Sequence, residues 1–536
     1  MSAPADCKHV VAFTISGGWG HARPMVAFLC RLVQRVPVLV TFIVSVAIED
    51  RTRNEVDRFL AGPHADKKER IRLVFIPAAT PVRMAEMQEN FENAYRAILA
   101  DPATRAPDVM VCDTIARCVI QSTRALSPHT RVVGWCGYGA IAILTLAQMF
   151  EARIEEHWAL IVRRFAEEGV SERDAANEIV LNSVTGKTLD VADLPPLADY
   201  ELFPQPPIFM PWDVHFHSIR SVPTCDAIIA PSCRSVEPRT CDALAARLAP
   251  GHFFAVGPLF PPAAEGAGAA GASTSTGTAE LAQSAEGAEI VKFMDRMLQE
   301  RGEKSVLYIS FGSTFSTFIG FEKEVMWAWF DVVADMGIPV IIAYHKMSEP
   351  LPAELRAKFD AGGVTLISTW TPQQYILAHP ATGWFLTHNG FGGTNEALAA
   401  GVPTISWPIC ADQPLYALLV SRVHGTGYEL DEVRRGFGRR PRASNGWAPA
   451  SDAWEAGAAP LQVTWAPGGE GTVSGATVRA VREEARRVLG WAFFDEGRRK
   501  EKQANAARVR AMMERAWDED GVAAKDMRRF IEVFLS

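Results

Sequence analysis

The chain has 536 residues, of which 48% are hydrophobic and 22% are charged, and this composition excludes a globally disordered protein. At about 150 residues per domain, the length predicts two to four domains. A formal net charge of −8 without a long Lys/Arg run argues against a nucleic-acid partner. Because no apolar run approaches the roughly 20 residues of a membrane-spanning helix and no signal peptide precedes the first strand, we expect a cytoplasmic protein without a membrane span.

The nine cysteines are scattered through apolar stretches, and no Cys-x-x-Cys pair occurs. An odd number at irregular spacing is typical of reduced, buried thiols. The pattern therefore predicts neither a disulfide framework nor a zinc site, and we expect no bound metal.

Short apolar segments alternate with helical patterns through both halves of the chain. The predicted strands are residues 9–16, 38–46, 71–76, 108–112 and 131–136, then 305–310, 340–344, 364–368, 383–387 and 404–407. Helical spacing is clear at residues 23–35, 321–336 and 394–400. Continuous apolar strands separated by helices indicate parallel sheets that are covered on both faces. We therefore predict an α/β protein with two doubly wound domains facing a cleft.

One break in composition divides the two halves. Residues 258–287 are rich in Ala, Gly, Ser and Thr, and such a segment buries too little apolar surface to fold alone. We predict an N-terminal domain at 1–257, a flexible linker at 258–288 and a C-terminal domain at 289–494. Residues 434–475 form a predicted surface insertion, and the charged, helical residues 495–536 are expected to pack back across the domains.

The first motif, SGGWGH at residues 16–21, follows the first predicted strand. Its glycines permit a tight turn, but Arg23 stands where a dinucleotide fingerprint requires a third glycine. An imidazole at this strand–helix turn suits a general base, so His21 is a candidate catalytic residue. The alternative is a loop histidine that satisfies backbone groups.

Asp113 ends another predicted strand of the same sheet. A carboxylate at this position could orient His21 and stabilise its imidazolium form. The alternative is a helix N-cap, because aspartate is a favoured capping residue and a helical pattern follows. The two interpretations are compatible.

A longer motif begins at Trp370 and ends at Gln413. Within it, the glycine-rich turn at residues 390–394 leads into a helix, and bare N–H groups at a helix N-terminus bind phosphate. His388, which immediately precedes this turn, could donate another hydrogen bond to a diphosphate. The alternative is a tight turn that binds no ligand. This alternative accounts for the glycines but for none of the other residues of the motif.

Further polar and aromatic residues of this motif lie at successive strand ends. Trp370 offers a flat face for a base. Glu396, in the first turn of the helix, could accept hydrogen bonds from ribose hydroxyls. Asp412 and Gln413 follow the next strand, where a carboxylate and an amide could bind sugar hydroxyls. A turn without a ligand does not explain this polar set.

Residues 370–413 resemble, without a gap, the signature box of the UDP-dependent glycosyltransferases that modify small molecules. The turn with His21, the strand end at Asp113 and the FGS segment at residues 311–313 are also similar to that family. The resemblance implies the GT-B fold, with two Rossmann-like domains, the acceptor in the N-terminal domain and the donor in the C-terminal one.

The resemblance also implies roles for individual residues. His21 would deprotonate the acceptor hydroxyl, with Asp113 as its partner. The implied donor-binding residues are Ser313, Trp370, Gln373, His388, Gly390, Gly392, Gly393, Thr394, Glu396, Asp412 and Gln413. Among these, Trp370 would stack on uracil with Gln373 nearby, and His388 would contact the diphosphate.

The chain departs from the plant-type box at four positions. It has Asn389, Phe391, Gly392 and Gly393 where that box has Cys, Trp, Asn and Ser. The direct contacts of the missing Asn and Ser side chains are therefore lost, although glycine backbone N–H groups could replace them as phosphate donors.

The combined expectation is an inverting, metal-independent transferase that acts as a monomer without a cofactor. It would move a hexose from a UDP-sugar to a hydroxyl of an apolar small molecule, and Gln413 favours glucose. A nucleotide-sugar epimerase on the same fold is one alternative, but the aromatic region at residues 150–216 argues for an acceptor site. The other alternative is a catalytically silent UDP-sugar-binding protein. The presence of both His21 and Asp113 argues against it.

Overall fold

The computed structural model describes residues 7–15, 18–78, 84–102, 104–205, 212–260, 281, 286–312, 323–344, 350–435 and 475–536. The chain forms two compact units, each assembled from separate stretches of sequence. The first unit comprises Met1–Val180, Pro211–Pro262 and Glu514–Ser536, and the second comprises Leu181–Met210 and Ala263–Met513.

Strands and helices alternate along both units. The strands of the described residues are β1 (Lys8–Phe13), β2 (Val38–Ser45), β3 (Ile71–Ile76), β4 (Val109–Asp113), β5 (Arg131–Trp135), β6 (Thr188–Leu189), β7 (Leu197–Ala198), β8 (Ala227–Ala230), β9 (Phe253–Ala255), β10 (Val306–Ser310), β11 (Val340–Ala343), β12 (Thr365–Ser368), β13 (Thr382–Thr387), β14 (Thr404–Ser406) and β15 (Gly427–Glu429). The α-helices of the same residues are α1 (Trp19–Arg35), α2 (Glu49–Phe59), α3 (Met84–Ala100), α4 (Arg117–Leu126), α5 (Ala140–Phe150), α6 (Ile154–Glu168), α7 (Glu172–Ser183), α8 (Trp212–Ser221), α9 (Pro238–Arg247), α10 (Gly287–Arg301), α11 (Lys323–Asp335), α12 (Ala353–Gly362), α13 (Gln373–Ala378), α14 (Phe391–Ala400), α15 (Gln413–Leu418), α16 (Gly475–Leu489), α17 (Glu496–Glu514) and α18 (Val522–Phe534).

The first unit is built on a seven-stranded sheet with the order β3-β2-β1-β4-β5-β8-β9. Every neighbouring pair in this sheet is parallel. The direction of winding reverses between β1 and β4, so the segments that follow these two strands leave the same edge of the sheet side by side. Such a switch point is where open α/β sheets bind ligands.

The second unit repeats this plan in a six-stranded parallel sheet with the order β12-β11-β10-β13-β14-β15. Its switch point lies between β10 and β13. Alternate residues of β10 are buried on opposite faces, with Leu307 and Ile309 in one hydrophobic cluster and Val306 and Tyr308 in another. Burial on both faces explains why the strands are continuous apolar runs.

Two doubly wound parallel sheets confirm the predicted α/β class. The short strands β8, β9 and β15 were not predicted, because three or four residues give no clear period. All nine cysteines are free thiols, as expected. None of the helices among the described residues has the length and apolar character needed to cross a bilayer.

The largest difference between the unit boundaries and the predicted domains is at residues 181–210. Residues 181–210 were assigned to the N-terminal domain, but they belong to the second unit. Gln205 donates to the Val433 carbonyl at 2.9 Å, and the Arg435 N–H donates to the Pro204 carbonyl at 2.8 Å. Most of the predicted linker and insertion lies outside the described residues.

Helix α18 completes the core of the first unit. Its residues Met527, Phe530 and Phe534 are buried in one cluster with Phe28 of α1 and Phe254 of β9. Helix α17, which precedes it, lies in the second unit up to Met513. The last described segment therefore contributes to both units, with its final helix on the first.

Candidate active site

The first unit brings His21 and Asp113 together at its switch point. His21 lies in the first turn of α1, which follows β1, and Asp113 is the last residue of the neighbouring strand β4. The distance from His21 Nδ1 to Asp113 Oδ2 is 2.7 Å. Because the carboxylate is the acceptor, Nδ1 carries the proton and donates it. Residues 16 and 17 of the predicted turn lie outside the described part of the chain.

Burial of these two side chains is unequal. The Asp113 carboxylate is fully buried, whereas 22% of the His21 side chain is exposed. The second carboxylate oxygen accepts from the Ile115 backbone N–H at 3.2 Å. Asp113 is thus fixed in the interior and holds an imidazole whose ring reaches the surface of the unit, the arrangement of a base and its orienting group.

In the second unit, His388 follows β13 at the switch point and is packed against glycines. A Cβ atom at Gly312 would lie 2.7 Å from its Cε1, and one at Gly390 would lie 2.6 Å from its Nε2. Gly312 has φ of +77°, a conformation that glycine adopts without strain. Burial lowers the pKa of His388 from 6.5 to about 4, although a hydrogen bond with the Ser310 backbone opposes the shift. The imidazole is therefore neutral at pH 7.

Glu396 of α14 joins the two glutamines that begin α13. Its Oε2 accepts from Gln373 Nε2 at 2.5 Å, and its Oε1 accepts from Gln374 Nε2 at 2.9 Å. Tyr308 of β10 donates to Gln373 Oε1 at 3.2 Å. Trp370 lies two residues beyond β12, and 39% of it is exposed. The two hydrogen bonds from the glutamines fix the Glu396 carboxylate. The exposed part of the Trp370 indole is accessible to a planar ligand.

The N-terminus of α14 lies beside Asp412. The Phe391 N–H donates to Asp412 Oδ2 at 3.1 Å. Gln413 is 2% exposed, and its Oε1 accepts from the backbone N–H groups of Ile409 at 2.9 Å and Cys410 at 3.1 Å. The amide oxygen of Gln413 therefore stabilises the turn after β14, and Gln413 helps to set the shape of that turn.

Two polar side chains in this region have no hydrogen-bond partner among the described residues. They are the buried amide of Asn389, which has φ of +61°, and the hydroxyl of Thr394. Buried polar groups without partners are rare, and each calls for a cause. The site at these strand ends therefore combines a glycine turn, a neutral imidazole and two buried polar groups that have no hydrogen-bond partner among the described residues. Such a site is suited to a polar ligand. Within the described ranges, no group of three or more His, Cys, Asp or Glu side chains is arranged to hold a metal ion.

Comparison with known proteins identifies this chain's relatives. The family model described as "UDP-glucoronosyl and UDP-glucosyl transferase" matches residues 281–433, which include the whole 370–413 motif. UDP-glycosyltransferase eriJ of Hericium erinaceus is 31% identical over 529 residues, which are 96% of each chain.

The chain belongs to the UDP-glycosyltransferase family. A shorter match joins it to the 7-deoxyloganetic acid glucosyltransferase of Catharanthus roseus, which is 34% identical over 143 residues, 25% of this chain and 28% of that one. This UDP-glycosyltransferase is therefore an enzyme that transfers a sugar from a UDP-sugar donor to a small molecule.

Solved structures agree with the fold. UGT2 of Phytolacca americana, complexed with UDP-2fluoro-glucose and pterostilbene, has a TM-score of 0.64 at 16% identity and covers 99% of this chain and 100% of its own. A UDP-glucosyltransferase from Polygonum tinctorium has a TM-score of 0.66 at 18% identity over 100% of both chains. The predicted GT-B fold is confirmed.

The structure brings some of the predicted site residues of this UDP-glycosyltransferase into contact, each within its own unit. His21 meets Asp113, Gln373 meets Glu396, and Asp412 meets the helix at Phe391. Ser313 lies outside the described residues.

Some contacts of the site were missed. Gln374 shares the Glu396 carboxylate, but it had no predicted role within the 370–413 motif. Tyr308 bonds to Gln373, but it was predicted only as part of a strand. Gly137 and Tyr138, which touch the His21 ring, carry no local motif.

Proposed function

We propose that the enzyme moves a hexose, with glucose favoured, from a UDP-sugar to a hydroxyl of an apolar small molecule, with inversion at the anomeric carbon. The single observation that carries the proposal is the His21–Asp113 hydrogen bond of 2.7 Å at the switch point of the first unit. In a family member, this is the arrangement expected of a base that activates a hydroxyl.

The proposed base catalysis follows from the tautomer. Because Nδ1 donates to Asp113, the lone pair of the ring lies on Nε2, which takes the proton of the acceptor hydroxyl. The acceptor oxygen then bonds to the anomeric carbon while the bond from that carbon to the UDP oxygen breaks. UDP leaves with the bonding electrons, the proton remains on His21, and one in-line displacement inverts the carbon. Base catalysis of this kind contributes about 10²–10⁴-fold.

On the donor side, we propose that backbone N–H groups at the start of α14 and the neutral imidazole of His388 bind the diphosphate. Trp370 stacks on uracil, and Glu396 accepts from the ribose. Asp412 binds the sugar beside the same helix N-terminus, and Gln413 binds it through its amide N–H groups, because its amide oxygen accepts from the turn after β14. Donors of this kind stabilise the charge that develops on the leaving group, and the proposed reaction uses no metal ion.

Glucose is proposed as the sugar on two grounds. Gln413 matches the end of the family box that is typical of glucose donors, and several relatives with shorter matches are named glucosyltransferases. An apolar acceptor is proposed because the similar Phytolacca americana structure holds pterostilbene.

A transfer assay with UDP-glucose against a panel of phenols, sterols and hydroxy-lipids tests the proposal. We expect a product heavier than the acceptor by one hexose, with a β-linkage from the α-configured donor, formed equally well in EDTA. His21→Ala is expected to lower the transfer rate by about 10²–10⁴-fold, to a small residual rate, and to leave UDP binding unchanged by calorimetry. His129→Ala, which alters an exposed histidine of the same unit, should leave both unchanged.

The assay also separates the alternatives. Conversion of the donor to UDP-galactose without an acceptor would show an epimerase. UDP binding without transfer to any acceptor would support a silent binding protein. Product of retained configuration, or loss of product in EDTA, would contradict the mechanism while leaving the family intact.

A further inference from the structure

The turn between β5 and α5 lies directly against the ring of His21. A Cβ atom built on Gly137 in this turn would be 2.4 Å from His21 Nδ1, 2.6 Å from Cγ and 3.0 Å from Cε1. Carbon atoms of side chains do not approach other heavy atoms this closely. Any residue other than glycine at position 137 would therefore occupy the space of the imidazole.

The backbone around Gly137 is held from both sides and has little room to retreat. Before the glycine, the Cys136 N–H donates to the Ile229 carbonyl of β8 at 2.9 Å. After it, the Ala140 N–H donates to Ser232 Oγ at 2.7 Å, and the Ile141 N–H donates to Glu237 Oε2 at 3.0 Å.

These acceptors are themselves fixed. Ser232 is fully buried and Glu237 is 2% exposed. Because the core holds the turn, a side chain at position 137 would displace the imidazole instead of the backbone.

Displacement of the ring would break a specific bond. The atom nearest to the hypothetical Cβ is Nδ1, which is also the atom that donates to Asp113. Asp113 cannot follow the ring, because it is fully buried and its other oxygen accepts from the Ile115 N–H. The ring of Tyr138 packs against the imidazole in an edge-to-face arrangement, with the centroids 6.4 Å apart, and restricts it further.

We infer that Gly137 is a positioning residue for His21: its bare backbone leaves the space in which the imidazole reaches Asp113. The inference rests on the proposed role of His21 as the base. According to this inference, Gly137 of the β5–α5 turn has a role in the transfer reaction although it does not touch the substrate.

The first test is kinetic. Gly137→Ala is expected to lower kcat by about 10²-fold, the scale of effect of a catalytic group misplaced by about 1 Å, while calorimetry shows unchanged UDP affinity. In the His21→Ala background the same change is expected to alter the residual rate less than about 2-fold, because no imidazole remains to be misplaced. An equal loss in both backgrounds would overturn the inference.

The second test does not depend on activity. Thermal unfolding is measured for the wild type, Gly137→Ala, His21→Ala and the double variant. With His21 present, the alanine is expected to lower the midpoint by at least about 2–4 °C. Without the imidazole, the methyl group has space, and the effect of the alanine should largely disappear. Equal shifts in both backgrounds would show that His21 and Gly137 are not coupled.

The two tests separate two kinds of failure. If His21→Ala retained full transfer activity but the unfolding effects were coupled, the assignment of the base would fail and the packing of Gly137 on His21 would stand. If His21→Ala lowered the transfer rate as expected but Gly137→Ala kept the wild-type kcat, the assignment of the base would stand and the positioning role would fail.

Discussion

His21 and His388 both lie against glycine backbone at the switch point of a sheet, yet their surroundings prepare them for different tasks. His21 is partly exposed and bonded to a buried carboxylate. Burial lowers the pKa of His388 to about 4, and a hydrogen bond with the Ser310 backbone only partly opposes that shift. The first arrangement suits a group that gains a proton during the reaction, and the second suits a neutral hydrogen-bond donor.

At the residue scale, Asp113→Asn tests the tautomer of His21. An amide NH₂ facing Nδ1 would donate to it and move the ring proton to Nε2, so the base would lose its lone pair on the substrate side. We expect kcat to fall by about 10²–10⁴-fold, measured in the transfer assay, with unchanged UDP affinity by calorimetry.

Asp242→Asn is the matched control for that substitution. Its side chain is 74% exposed and pairs with Arg234 on the surface, so kcat should not change. Wild-type kcat in Asp113→Asn would show that the carboxylate does not set the tautomer of the base.

The sequence predicted His21 and Asp113 because each follows a recognisable strand and because parallel strands end at one edge. It could not predict Gly137. The contact with His21 joins residues far apart in the chain, and a glycine before a helix is ordinarily explained by the turn alone. Only the position of the ring shows that a Cβ atom would collide with it.

At the scale of elements, the start of α14 has room for the Asn side chain that the plant-type box has at position 392, where this chain has glycine. A Cβ atom at Gly392 would meet nothing within 4 Å. We expect Gly392→Asn to place an amide near the diphosphate and to lower the Kd for UDP about tenfold, since a hydrogen bond to a charged group contributes about 1.5–3 kcal/mol before the ordering of the side chain is subtracted.

Calorimetry with UDP measures this effect. Gly490→Asn is the control, because Gly490 also has open space at its Cβ position and lies on another helical segment of the second unit. Unchanged or weaker UDP binding in Gly392→Asn would show that the start of α14 does not face the diphosphate.

Helix α16 provides a prediction of pH dependence. Glu484 of this helix is 2% exposed and accepts from the backbone N–H groups of Asp431 and Glu432 at 2.8 and 3.0 Å. Burial raises its pKa from 4.5 to about 7, and the charges of the same two residues add to the shift. Because the folded state prefers the protonated form, the contribution of Glu484 to stability is greatest below pH 4.5 and is lost as the pH rises to about 7.

Glu484→Gln removes this titration. Relative to the wild type, the variant should therefore gain free energy of unfolding from pH 4.5 to about 7 and stay level above that. Urea unfolding at several pH values measures the difference. Glu501→Gln, at a 62% exposed side chain, should show no such trend, and a flat difference for Glu484→Gln would contradict the raised pKa.

The strands with long apolar runs were predictable from the sequence, and the glycine-rich start of α14 was predictable from its motif. The hydrogen bonds from Gln374 and Tyr308 were not, because a helical or strand pattern does not show which polar atoms meet across elements. The buried oxygen of Gln413 is a similar case, since its sequence position alone suggested a contact with sugar.

At the scale of the whole molecule, α18 is a structural part of a unit whose other residues come much earlier. Phe530 is fully buried, and its ring centroid lies 5.5 Å from those of Phe28 and Phe254. We expect Phe530→Ala to lower the free energy of unfolding by about 3–5 kcal/mol, measured by urea denaturation. Val533→Ala, at a 36% exposed position of the same helix, should cost less than about 0.5 kcal/mol. Similar losses in both variants would show that α18 is not part of this core.

The two-unit organisation was predictable from the alternation of strands and helices, but the assignment of residues 181–210 was not. Its strands β6 and β7 have only two residues each, too few for a periodic signal. The bonds that attach the segment to the second unit involve residues more than 200 positions later, and no local pattern records such pairing.

The discontinuous first unit has a consequence for how the protein is made. A ribosome that has finished residue 262 must add roughly 270 more residues before it has made the whole helix at 522–534, which takes on the order of 10–50 s at about 5–20 residues per second. During that interval the aromatic side chains of α1 and β9 that pack against α18 stay exposed. Nascent chains with an exposed apolar surface are prone to aggregate. The enzyme's yield during synthesis should therefore depend on chaperones that shield this surface until translation is complete.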